Sequence, residues 1–88
     1  MHIVKRAGHK EKFDGRKIYA SVYYACRTTE MGKKDSEKTA SQVESEMNKW
    51  VRNKSAVTSD QIFREVAKKM KKHNKDAAFM YETHRDIS

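Results

Sequence analysis

The stretch MHIVKRAGHKEKFDGRKIYASV, residues 1–22, decides the fold. HIVKR and EKF read as two short strands around the turn AGHK, which contains Gly8. Phe13 closes the second strand on the core side. Asp14 then suits a helix N-cap, and from about residue 15 the apolar residues fall at helical spacing. Lys5, Arg6, Glu11, Asp14 and Lys17 sit where a hairpin and a helix start can bring them together. Cations close to a helix N-terminus suit a phosphate, because the unpaired N–H groups and the helix dipole already favour an anion there. Two carboxylates nearby can accept hydrogen bonds from the amino group of a base. These five residues outline a nucleotide pocket.

Working outward, Ile18, Val22, Ala25 and Cys26 share one face of the first helix, with Tyr19 and Tyr23 on its flank. Gly32 fits the stop of that helix. A second helix is expected from about Ser36 to Arg52, where Ala40, Val43, Met47, Trp50 and Val51 recur at three- and four-residue spacing. Asn53, Lys54 and Ser55 form a polar connector, and Ala56 and Val57 are extended candidates for a third short strand. Thr58 or Ser59 is the expected N-cap of a third helix, with Asp60 and Gln61 in its first turn. Ile62, Phe63, Val66, Ala67 and Met70 make its apolar stripe. HNKD at residues 73–76 reads as a break before a last helix carrying Ala77, Ala78, Met80, Tyr81, His84 and Ile87. Each helix is polar over more than half its circumference, so none is stable alone. The economical fold is α+β: one domain over residues 1–88, a four-helix bundle capped by a small three-stranded sheet.

Composition limits what such a domain does. At 88 residues there is room for one core of modest size. Lys and Arg number 20 against 12 Asp and Glu, a formal charge of +8. That balance predicts attraction to polyanions such as nucleotide phosphates, nucleic acid or an acidic protein face. One cysteine, Cys26, excludes an internal disulfide and a Cys-rich zinc module, and makes the reducing cytoplasm the expected location. Cys26 lies on an apolar helix face and reads as a buried structural thiol. His2, His9, His73 and His84 show no metal-ligand spacing, so no metal site is expected. No apolar run is long enough to span a bilayer.

HIVKRAGHKEKFDGRKIYASVYYAC resembles the opening of an ATP-cone domain. IVKRAG stands where that family has V-x-K-R-x-G, FDGRKI where it has Phe-Asp-x-x-Lys-Ile, and an Ala-Cys pair follows in the first helix. AVTSDQIFREV is similar to the family's Thr-Ser-x-x-Ile segment opening the third helix, and AAFMYETHR to its Tyr-containing last helix. The resemblance covers nearly the whole chain. It implies a small regulatory module that binds ATP or dATP, with Mg²⁺ on the phosphates, and switches its association with itself or another protein. Such modules stand at the N-terminus of ribonucleotide reductase large subunits and in a repressor of the reductase genes.

Residue by residue, the resemblance implies that Lys5, Arg6 and Lys17 bind phosphate. Glu11 and Asp14 lie by the adenine, and Thr58 offers a hydroxyl beside the phosphates at a helix N-terminus. His84 and Arg85 match more loosely a region that adds a further cation. Ala7 departs from the acidic residue that many relatives have there. No zinc ribbon and no catalytic domain accompany the module, and a start at Met1 running directly into the first strand suits a stand-alone form. No general base is placed for hydrolysis, so binding without turnover is expected, and with it a role in deoxyribonucleotide synthesis or transcription. The alternative is a basic nucleic-acid-binding protein that uses the helix around residues 64–75 against phosphates. Tyr19, Tyr23, Tyr24, Tyr81 and Trp50 are read as packing residues rather than a base-stacking surface.

Overall fold

The computed structural model describes residues 2–4 and 10–83, with backbone alone at positions 2, 4, 10 and 11. The chain is mostly helical. In order it forms β1 (His2–Val4), β2 (Lys10–Lys12), α1 (Gly15–Arg27), α2 (Lys33–Val51), β3 (Ala56–Thr58), α3 (Ser59–His73) and α4 (Lys75–Thr83). β1 lies between the other two strands, antiparallel to β2 and parallel to β3. The register sets Val4 level with Lys10 and Thr58, and His2 level with Lys12 and Ala56. The expected turn AGHK and the end of the first strand at Lys5 and Arg6 lie outside the described residues, as do His84 and Ile87.

One core joins all four helices. α1 contributes Ile18, Val22 and Cys26, α2 Ala40, Val43 and Met47, α3 Ile62, Val66 and Met70, and α4 Ala77 and Ala78. Val57 enters from β3, and Ile3 of β1 packs against the cluster from its edge. Full burial of each Val, Ile or Met side chain among them stabilises by about 1.5–3 kcal/mol. Helices in proteins draw most of their stability from packing an amphipathic face, so that shared burial holds them. Tyr19, Tyr23, Trp50 and Tyr81 pack partly buried against the same core. Phe13 falls just beyond β2 and is half-buried there as well.

Three boundaries differ from the sequence reading. Gly32 does not stop the first helix; it is the extended N-cap of α2 (φ −67°, ψ 164°), which starts at Lys33 rather than Ser36. α1 is closed instead by two threonine hydroxyls, Thr28 donating to the Ala25 carbonyl at 2.7 Å and Thr29 to that of Cys26 at 2.6 Å. These side chains supply donors for carbonyls that a helix end leaves open. The break at residues 73–76 shrinks to Asn74 alone. Its N–H donates to the Met70 carbonyl at 2.7 Å, and its side-chain oxygen accepts from the Ala77 N–H at 2.9 Å. One asparagine thus closes α3 and opens α4.

Candidate functional site

Two helix starts carry the described members of the site. At the first, Asp14 is extended (φ −135°, ψ 108°) and its Oδ1 accepts from the Arg16 N–H at 2.9 Å. A carboxylate keeps further lone pairs after one such bond, and Asp14 is exposed. The first turn of α1 holds no acidic residue but two exposed cations, Arg16 and Lys17. Positive charge there opposes the helix dipole by about 0.3–1 kcal/mol per group. An anion at this end would be favoured both by the pair and by the helix dipole. The α2 start also has two lysines, Lys33 and Lys34, but Asp35 shares their turn.

Gly15 presses this helix start against α2. A β-carbon added at Gly15 would stand 2.8 Å from Asn48 Oδ1 and 3.0 Å from Glu44 Oε2. Glu44 and Asn48 are thus polar neighbours of the Asp14 cap. The sequence gives no sign of them, because only the packing of α2 on α1 places them there.

At the second start, Thr58 caps α3 through a reciprocal pair. Its Oγ1 accepts from the Gln61 N–H at 3.0 Å, and its own N–H donates to Gln61 Oε1 at 2.8 Å. A hydroxyl that accepts in this way still has its proton to donate. Capping the helix and donating to an anionic oxygen are therefore compatible roles for Thr58.

The strand register fixes how these starts relate. β2 ends at Lys12, level with His2 and Ala56, and leads through Phe13 to Asp14. α3 begins at the other end, level with Val4. At roughly 3.3 Å per residue the ends of a three-residue strand lie about 7 Å apart. A lysine side chain together with a polyphosphate tail is long enough to span that distance. Asp14 and Lys17 belong together on one turn, and Thr58 stands on a separate helix. Glu11 holds the middle register position of β2, opposite Ile3. Its side chain lies outside the described residues, and so do Lys5 and Arg6.

Other reactive groups are placed for packing. Cys26 is fully buried, and that burial pushes its thiol above the ordinary value. Burial likewise pushes the Tyr81 phenol up to about 12, and its ring stacks on Phe63 with centroids 5.1 Å apart. Among the described residues no three His, Cys, Asp or Glu are grouped to hold a metal ion. An open groove of about 590 Å³ lies between the α1–α2 turn, α2 and the α3–α4 junction, lined in part by Thr29, Lys38, Thr39, Gln42, His73 and Asn74. Asp14, Lys17 and Thr58 do not line it.

The described residues form a small α+β module with two capped helix starts. The family model of the ATP cone domain matches residues 1–87, and the chain belongs to that family. ATP-cone domains bind ATP or dATP, so a nucleotide-binding regulatory role in the general sense follows. No curated protein matches the chain. No helix of the described residues is long and apolar enough to cross a membrane.

Proposed function

We propose that this domain senses adenine nucleotide: it binds ATP or dATP, with Mg²⁺ on the phosphates, without turning it over. Glu11 and Asp14 take the adenine end. Lys5, Arg6, Lys17 and the Thr58 hydroxyl take the phosphate end, with the three strands acting as a cap over the four-helix bundle. The observation that carries this reading is the pair of exposed cations, Arg16 and Lys17, in the first turn of α1, directly behind a carboxylate cap. Mg²⁺ when bound offsets phosphate charge, and the chain's own part is to orient the tail with ammonium, guanidinium and hydroxyl donors. Bound triphosphate neutralises the cationic cluster and shifts which helix face is available to a second copy or another protein. Deoxyribonucleotide synthesis or its transcriptional control, in the cytoplasm, is the context this reading assigns.

Thermal unfolding with and without nucleotide tests it. Ligand at about a hundred times its dissociation constant adds roughly 2.7 kcal/mol. In a domain of this size each kcal/mol moves the midpoint by about 4–8 °C. A rise on the order of ten degrees with ATP or dATP, lost in Lys17→Ala and in Lys5→Ala, is expected. ATP acting no differently from sulfate would defeat the reading.

A further inference from the structure

The cations of α3 are sorted by face. Ile62, Val66, Ala67 and Met70 bury one side of the helix. Arg64, Lys68, Lys71 and Lys72 are all exposed, and at about 100° per residue they fall within an arc of about 100° on the opposite side. From Arg64 to Lys72 the row is about 12 Å long at about 1.5 Å per residue. Neither carboxylate of α3 interrupts it. Glu65 is held on a flank by Lys69 at 2.8 Å, both side chains largely covered, and Asp60 lies in the first turn, before the row begins.

The neighbouring helices neutralise only one end of this row. Lys71 meets Glu82 of α4 at 3.3 Å, and Lys72 meets Glu46 of α2 at 3.4 Å. Both lysines keep more than half of their side-chain surface open, at 61% and 64%. Exposed pairs of this kind contribute about 0–1 kcal/mol, so an incoming phosphate displaces them at little cost. Among the described residues no carboxylate pairs with Arg64 or Lys68. The row contains no aromatic ring, since Phe63, the one aromatic residue of α3, stacks on Tyr81.

The geometry points to a second binding function: the outer face of α3 is a docking surface for the phosphate backbone of duplex DNA, without base readout. A straight row of cations on a rigid helix suits a regular array of phosphates. Single-stranded nucleic acid is held chiefly by aromatic stacking platforms, which this face lacks. The row begins about a turn and a half beyond Thr58, the residue at the start of α3 assigned to the nucleotide site. It stands whether or not ATP binds.

Anisotropy of a labelled 20-base-pair duplex of mixed sequence, titrated with the nucleotide-free protein between 50 and 200 mM NaCl, tests this. Each neutralised phosphate contributes about −0.9 to the slope of log K against log salt, so four cations give roughly −3 to −4. Arg64→Glu with Lys68→Glu is expected to weaken binding at 50 mM salt by about tenfold or more and to lower the slope by about two. The neutral pair Arg64→Gln with Lys68→Gln shows the same loss of slope without added repulsion. Lys33→Glu with Lys34→Glu changes net charge equally on α2 and is expected to cost far less. Equal losses in the two Glu double variants would mean that net charge alone drives binding, and would overturn the proposal. So would a single strand of the same length binding as tightly as the duplex. The α3 variants should keep their stabilisation by ATP; its loss would merge this face with the nucleotide site and overturn the separate assignment.

Discussion

Thr58 shows how much one side chain decides. Its hydroxyl closes a reciprocal pair with Gln61 at the start of α3 while keeping a proton to donate. Thr58→Ala removes the cap and is expected to cost about 1 kcal/mol, seen as a midpoint about 4–8 °C lower. Thr58→Ser keeps a hydroxyl and should recover most of that loss. If Ala and Ser melt alike, the hydroxyl is not the cap. Cys26 makes the opposite kind of case, a reactive atom made inert by burial. The thiolate is the reactive form, so the folded protein should resist alkylation at neutral pH and react quickly in denaturant, as mass spectrometry would show. Caps such as Asp14 and Thr58 are legible in sequence because cap and partner lie two or three residues apart. Gly32 misleads because a glycine suits either end of a helix. What decides its role is that Thr28 and Thr29 have already closed α1.

Between elements, a polar clasp reinforces the contact of α2 with α3. His73 Nε2 lies 2.9 Å and Lys72 Nζ 3.4 Å from the two oxygens of Glu46. Burial alone would raise the Glu46 carboxyl, but the hydrogen bonds and charges of His73 and Lys72 outweigh it and hold the group below its ordinary 4.5. A carboxyl lowered in the folded state stabilises above its unfolded value, and that contribution fades as pH falls through the folded one. The thermal midpoint should therefore drop on acidification below about 4.5, and Glu46→Gln should lessen the drop. An unchanged pH profile in that variant would remove the clasp from the account. Beneath it, Met70 is fully buried, and Met70→Ala should cost about 2–5 kcal/mol in denaturant unfolding. The helices themselves are readable from sequence, because burial on one side imposes a 3.6-residue period. The clasp is not, since Glu46 and His73 are 27 residues apart and nothing local marks them as partners.

For the whole molecule, the governing quantity is a charge of +8 on one small domain. That excess leaves α3 with an outer row of cations and α1 with cations at its dipole's positive end, two settings that favour anions of different shape. Adding sulfate should raise the thermal midpoint modestly, and ATP should raise it much further. Equal effects would reduce both settings to general screening. The candidate site is only partly legible in sequence: Asp14 and Lys17 are neighbours by chain, whereas the relation of either to Thr58 follows from strand order. That order puts β1 parallel to a strand 54 positions later, from His2 at 2 to Ala56 at 56. The β1–β2 pair is local, but an isolated hairpin is marginal in water. The sheet therefore gains its third strand only after the chain has been made past residue 58 and a long loop has closed. During synthesis the first residues must wait while the α1–α2 pair assembles. A bulky fusion at the N-terminus should accordingly slow the last stage of refolding more than it lowers equilibrium stability.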